Sequence, residues 1–173
     1  RGPGGTTPAD GAFHGKGESQ YDNIRVGLNS RLDTIQAAIL IEKLAILEDE
    51  MLARQRVAKR YEDGLLDVVK TARIDNESRS AFAQYAIETP RRDELKATLQ
   101  AQGIPSVIYY VKPLHQQKAY AKFPQAPGGL PVSETLPERI LCLPMHPYLS
   151  EDDQDRIVET IREFHLGKER KIA

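Results

Sequence analysis

Apolar residues recur at helical spacing from Leu32 to Leu65, and this is the strongest pattern in the chain. They stand three or four positions apart, which predicts one long or gently broken helix of about thirty residues. The first half, residues 37–47, is apolar on most faces, whereas charged residues dominate after Glu48. A helix that is apolar all round must be covered on all sides, so this half predicts a partner surface.

The pattern changes after Gly64 to short extended runs that alternate with helical stretches. β-branched and aromatic content predicts strands at residues 68–74, 81–89, 104–111 and 140–143. Amphipathic spacing predicts helices at residues 91–102, 133–139 and 151–164. Gly103 is placed to end the first of these helices, and Ser150 with Asp153 forms a capping box at the start of the last. The interleaving predicts a compact α+β domain with a largely antiparallel sheet.

The start of the long helix carries the candidate chemistry. Ser30 and Asp33 have the spacing of a capping box, in which each side chain satisfies an exposed backbone N–H. Asn29 and Arg31 flank this cap near the positive end of the helix dipole, where N–H groups and a guanidinium can hold a phosphate or a carboxylate. On the residues alone, local hydrogen bonding is the more frequent role of such side chains.

The stretch Tyr21–Leu44, with its core GLNSRLDTIQAAIL, resembles the DegT-type nucleotide-sugar aminotransferases, which are pyridoxal-phosphate enzymes of fold type I. Later segments follow in the family's order, namely GIP at 103–105, KPLH at 112–115 and LPMHP at 143–147. The likeness spans roughly residues 13–164 and is closest to members that aminate a 3-keto uronic acid on a UDP carrier. It implies the C-terminal part of a fold type I transferase, of α+β or α/β class, with a long interface helix and a small domain.

The resemblance also implies roles for individual residues. Asn29 would hydrogen-bond the cofactor phosphate of the other subunit, since an amide can donate there without adding charge. Arg31 would take a sugar carboxylate in two parallel hydrogen bonds, with a surface arginine as the structural alternative. Tyr110 and His115 are candidates for substrate contacts, and Tyr21 for lining the pocket. His115 has an equally simple structural role, a hydrogen bond that fixes its loop.

The reaction implied by the resemblance is a two-stage amino transfer, in which an amino donor, expected to be glutamate, loads pyridoxal phosphate and a keto-sugar nucleotide then receives the amino group. The family's Schiff-base lysine precedes the motif that contains Asn29, and no lysine of this chain has that context. The chain resembles the C-terminal half of such an enzyme. We therefore expect no catalytic residue in it, no activity of the chain alone, and cofactor binding only with the missing half or a partner chain.

The resemblance and the composition together predict three regions. Residues 1–12, rich in Gly, Pro and Thr, are expected to be a disordered lead-in. Residues 13–66 would be a loop and long helix from the large domain or dimer interface, and residues 67–173 the small C-terminal α+β domain. The expected partners are a second copy in a homodimer or a complementing N-terminal half, with a UDP-sugar as substrate.

Charge and cysteine content narrow the class of protein. The net charge of −1 and the pI of about 6.5 argue against binding of nucleic acid or anionic membranes. A single cysteine excludes an internal disulfide framework, and with no apolar run long enough for a membrane span a cytoplasmic location is expected. Four scattered histidines give no zinc spacing, so we expect no structural metal.

Two other hypotheses stay open at this point. The chain could be a non-catalytic dimerisation or binding module derived from the aminotransferase fold, which predicts self-association without cofactor dependence. It could instead be an α+β domain whose likeness is scaffold alone, which predicts a monomer. The apolar stretch at residues 37–47 disfavours the second, because an uncovered patch of that size normally indicates a partner.

Overall fold

The computed structural model describes residues 32–75 and 77–167, which fall into two compact units. The described part of the core unit is residues 33–109 and 138–167, and that of the loop unit is Leu32 and residues 110–137. In chain order the helices and strands are α1 (Thr34–Ala45), α2 (Leu47–Leu65), β1 (Lys70–Thr71), β2 (Tyr85–Glu88), α3 (Arg92–Ala101), a 3₁₀ turn (Leu114–Gln116), α4 (Pro131–Thr135), a second 3₁₀ turn (Leu136–Glu138), β3 (Ile140–Leu143) and α5 (Glu151–Leu166).

The predicted long helix is present and is broken at Ile46, which separates α1 from α2. The N-cap of α1 is Asp33, whose carboxylate accepts a hydrogen bond from the Gln36 N–H at 2.8 Å. The expected capping box was therefore wrong for this helix, because Asp33 is the cap itself and not the residue three positions inside it. Ser30, the expected cap, lies outside the described residues.

Helices α2, α3 and α5 pack with the sheet to form the core unit's apolar core. Amphipathic spacing directs one stripe of each helix inward, and a fully buried Leu or Ile contributes about 1.5–3 kcal/mol. The largest fully buried side chains are Tyr61, Leu65, Ile87, Leu95, Leu99, Ile104, Leu141, Ile161 and Thr89. The Tyr61 hydroxyl donates to the Pro144 carbonyl at 3.0 Å, which satisfies the polar end of a buried ring.

The sheet has three antiparallel strands in the order β1-β2-β3. β2 is central, pairing Lys70 with Glu88 on one edge, and Tyr85 with Leu143 on the other. Its residues alternate between buried and half-buried, as expected for a strand with one covered face. The predicted α+β class with an antiparallel sheet is confirmed.

The strand predicted at residues 104–111 was wrong. Val107 makes an isolated antiparallel bridge to Cys142, with N···O distances of 3.1 and 2.8 Å, and no ladder extends from it. Pro105 lacks an N–H to donate. Ile104 belongs to the end of α3 and not to a strand, because its N–H donates to the Leu99 carbonyl at 2.9 Å and its side chain is buried there.

Helix α5 begins as predicted at Ser150. The Ser150 Oγ accepts from the Asp153 N–H at 3.1 Å and lies 2.6 Å from the Asp153 Oδ2. The helix ends at Gly167, which has a φ of 65°. Along residues 32–75 and 77–167, no helix has the length and apolar character required to cross a membrane.

Candidate functional site

The candidate residues at the start of the long helix, Tyr21, Asn29 and Arg31, lie outside the described residues. Their proposed contacts with cofactor and substrate therefore stay predictions. The structure describes the chain from Leu32 onward, two residues before α1 begins at Thr34. Leu32 is 61% exposed, and the Asp33 carboxylate already takes the Gln36 N–H, so that donor is not open to a bound anion.

Tyr110 and His115 both belong to the loop unit. His115 lies in the 3₁₀ turn Leu114–Gln116, and its Nε2 is 3.1 Å from Oε1 of Glu134 on α4. The His115 side chain is 12% exposed, whereas Tyr110 is 58% exposed. The imidazole thus joins two ends of the loop unit, and Tyr110 presents most of its ring to the surroundings. Substrate contact by either residue stays a prediction.

Glu134 was missed by sequence reasoning. It stands nineteen residues from His115, so no local spacing links the two side chains. The available signal was Pro131, which favours the first position of a helix and predicts a turn that carries Glu134. Buried Gln117 adds a second link within the same unit, because its Nε2 donates to the Lys112 carbonyl at 3.5 Å.

The described residues do not form the amine site that pyridoxal phosphate requires. A Schiff-base lysine is activated by desolvation or by a neighbouring cation. Every described lysine is instead exposed or half-buried, namely Lys43, Lys59, Lys70, Lys96, Lys112, Lys118 and Lys122. Those that line cavities, Lys59 and Lys70, are paired with Asp63 and Glu88. Within the described ranges, His, Cys, Asp and Glu side chains form no group of three or more that could hold a metal ion.

Helix α1 exposes apolar side chains that the core unit does not cover. Within the described residues no side chain of α1 is buried. Ile35 is 76% exposed, and Ile39, Ile41 and Leu44 are each at least 59% exposed. At about 100° per residue these four spread over more than half of the helix circumference, and Gln36 and Lys43 lie together on the remaining side. We call these four side chains the α1 apolar surface.

Polar contacts fix the junction between α1 and α2. Lys43 Nζ on α1 lies 3.6 Å from Oε1 of Glu50 on α2, and the Tyr148 hydroxyl donates to the same oxygen at 2.7 Å. The hydrogen bond from Tyr148 is the main cause of a lowered pKa of Glu50. Glu48, in the first turn of α2, is paired with Arg79 at 2.5 Å. The ion pair between Lys43 and Glu50 therefore links α1, which bears the α1 apolar surface, to α2.

Comparison with known proteins gives the family. The model of the DegT/DnrJ/EryC1/StrS aminotransferase family matches residues 11–162. A UDP-2-acetamido-2-deoxy-3-oxo-D-glucuronate aminotransferase of Pseudomonas aeruginosa is 42% identical over 139 residues, which are 80% of this chain and 38% of the relative. The chain thus spans about two fifths of the length of this curated relative.

Solved structures agree with this match. A DegT DnrJ EryC1 StrS aminotransferase from Brucella abortus is 69% identical with a TM-score of 0.76, over 89% of this chain and 41% of that one. DesV of S. venezuelae, solved in complex with a ketimine intermediate, is 30% identical with a TM-score of 0.73, over 90% of this chain and 42% of that one. Enzymes of this family depend in general on pyridoxal phosphate. The family match covers well over half of these 173 residues, and the chain therefore belongs to the DegT/DnrJ/EryC1/StrS aminotransferase family.

Proposed function

We propose that this chain is part of a pyridoxal-phosphate-dependent aminotransferase that aminates a keto sugar carried on a nucleotide, for polysaccharide biosynthesis. The observation that carries the proposal is the family match over residues 11–162. The 42% identity to an enzyme named for a UDP-linked 3-oxo-glucuronate supports a UDP-sugar with a carboxylate as the substrate class. Glutamate is the proposed amino donor.

The residues of this chain would bind and orient the cofactor and the substrate. Asn29 would donate its amide N–H to the cofactor phosphate, and Arg31 would bind the uronate carboxylate through its planar guanidinium. Tyr21 and Tyr110 would line the sugar site. His115, held against Glu134, would fix the loop that follows Tyr110 and contact substrate from it. Pyridoxal phosphate, when bound, supplies the electron sink for amino transfer.

The Schiff-base lysine would lie outside this chain. Support comes from the described lysines, each of which is exposed or half-buried, and from the span of about two fifths of the relatives' length. We propose that the α1 apolar surface is covered by the remaining length of such an enzyme, that the complete protein is a cytoplasmic homodimer, and that the isolated chain is inactive.

Complementation tests this proposal. The chain is co-expressed with an N-terminal segment of a related aminotransferase that contains the lysine, and the purified complex is scanned for the absorbance of lysine-bound cofactor near ~420 nm. We expect the band in the complex, no band in either part alone, and a weaker band with Asn29→Ala. Gln36→Ala on α1 is the matched control and should leave the band unchanged. A complex without the band would contradict the proposed cofactor role.

The second candidate is a non-catalytic dimerisation or binding module, and the α1 apolar surface is the observation that favours it. This function predicts that the chain associates with itself and ignores both the N-terminal segment and the cofactor. Sedimentation of the chain alone and with the segment separates the two candidates. A stable self-associated form of the chain that persists when the N-terminal segment is added would favour the non-catalytic module.

A further inference from the structure

Glu134 and His115 form a polar pair inside the loop unit. Oε1 of Glu134 lies 3.1 Å from Nε2 of His115, although the two residues are nineteen positions apart along the chain. The side chain of His115 is 12% exposed and that of Glu134 is 43% exposed. A hydrogen bond to one ring nitrogen of a histidine determines where the ring carries its proton, so this pair decides what the imidazole offers to a ligand.

Backbone hydrogen bonds hold both members of the pair in place. His115 lies in the 3₁₀ turn, where the N–H of buried Gln117 donates to the Leu114 carbonyl at 3.0 Å. On α4 the Glu134 N–H donates to the Leu130 carbonyl at 3.0 Å. Both side chains therefore extend from hydrogen-bonded turns, which favours the fixed geometry that a binding group requires.

The contact determines the tautomer of His115. An ionised carboxylate only accepts hydrogen bonds, so Nε2 must carry the proton that points to Glu134. In the neutral ring Nδ1 then has a free lone pair and is an acceptor. Among the residues that the structure describes, Nδ1 has no hydrogen-bond partner, and it does not belong to their buried polar atoms that lack one. It is therefore open to a donor group on a ligand.

We propose that Glu134 is a positioning residue for substrate recognition: it holds His115 in the tautomer protonated at Nε2, so that Nδ1 accepts a hydrogen bond from a sugar hydroxyl of the nucleotide-sugar substrate. This inference rests on the proposed function, in which His115 contacts the substrate. The sugar named for the Pseudomonas relative carries an acetamido group at C2, a keto group at C3 and a carboxylate. The keto oxygen and the carboxylate are acceptors, whereas the ring hydroxyl at C4 can donate to Nδ1.

The tautomer of His115 is measured first, on the chain alone. The ¹⁵N chemical shifts of the imidazole are recorded at a pH of about 8.5, where an ordinary histidine is neutral, and show which nitrogen carries the proton. The His115 signals are assigned by their absence in His115→Asn. We expect one form, protonated at Nε2, in the wild type and a mixture in Glu134→Gln, because an amide can accept or donate. The same tautomer population in both proteins would overturn the positioning role.

Activity of the complementing complex tests the hydroxyl. With UDP-2-acetamido-2-deoxy-3-oxo-D-glucuronate as substrate, Glu134→Gln should lower kcat/KM by a factor of about three to ten, the effect of one neutral hydrogen bond. With the 4-deoxy analogue, which lacks the donor, the variant and the wild type should have equal kcat/KM. An equal loss on both substrates, or no loss on either, would refute the inference, because a purely structural role does not depend on the hydroxyl.

Glu138→Gln is the matched control. Glu138 is exposed and lies in the second 3₁₀ turn, and its replacement should change neither the tautomer of His115 nor kcat/KM. The absorbance band near ~420 nm distinguishes failure of this inference from failure of the proposed function. A complex without the band contradicts the proposed function, whereas the band together with wild-type kcat/KM of Glu134→Gln on both substrates contradicts this inference alone.

Discussion

At the scale of single residues, the end of α3 depends on one glycine. Gly103 has a φ of 69°, its N–H bonds to the Gln100 carbonyl, and the next N–H, that of Ile104, reaches back to Leu99. This is the Schellman arrangement, which favours glycine because a side chain is strained at positive φ. We expect Gly103→Ala to lower the free energy of unfolding by about 1 kcal/mol, measured by urea denaturation.

Space does not limit this substitution, because a Cβ at Gly103 meets no atom within 4 Å. Gly103→Asn is therefore the matched variant, since asparagine tolerates the left-handed region better than alanine does. It should recover part of the loss. If alanine were as stable as glycine here, the helix end would not depend on the positive φ.

Residue-level prediction succeeded where the deciding contacts are local. Gly103 and Ser150 were identified because a cap involves residues three or four positions away. The N-cap of α1 was not identified correctly, because Ser30 and Asp33 are both residue types that cap helices, and the sequence alone does not show which of the two begins the helix. The His115–Glu134 contact was beyond reach, since its partners are close only in the folded loop unit.

At the scale of elements, α2 and α5 approach each other closely at Gly64. A Cβ on Gly64 would lie 2.7 Å from Cγ1 of Val158, a short side chain with restricted χ1. Alanine would otherwise favour the helix by about 1 kcal/mol, but overpacking costs about 1–3 kcal/mol. We expect Gly64→Ala to destabilise the chain by about 1 kcal/mol in urea denaturation, despite its better helix propensity.

The control for Gly64→Ala is a double-mutant cycle with Val158→Ala. Removing the two methyl groups of Val158 opens the space that the new Cβ needs, so the second substitution should cost less in the alanine background than in the wild type. Additive costs would show that the close approach of the two helices does not determine the residue at position 64.

Element prediction failed where tertiary pairing overrides local preference. Residues 104–111 have the composition of a strand, yet a strand needs a partner edge along its length. Val107 reaches that edge at Cys142, while Ile104 is required in the core as the residue that closes α3. Residues 140–143 had weaker signals and form a true strand because all four pair with β2.

At the scale of the whole molecule, the α1 apolar surface argues for a larger assembly. None of its side chains contributes to the described core, so replacing them should leave the stability of the isolated chain nearly unchanged. We expect Ile39→Gln with Leu44→Gln to alter the free energy of unfolding by no more than about 0.5 kcal/mol. The same double variant should lose most of its capture of the complementing N-terminal segment, measured by co-purification.

A second pair of exposed leucines is the control that distinguishes an effect of the α1 apolar surface from a general effect of replacing exposed apolar side chains. Leu66 and Leu166 are 61% and 60% exposed, as much as Ile39 and Leu44, but lie at the ends of α2 and α5. Leu66→Gln with Leu166→Gln should leave capture unchanged, because a partner is required where exposed apolar residues occupy most of a helix surface and not at single exposed positions. Equal capture by both double variants would show that the N-terminal segment does not pack on α1. Loss of capture in the α1 variant alone would show that this apolar helix, which is recognisable from the sequence, is required for assembly with that segment.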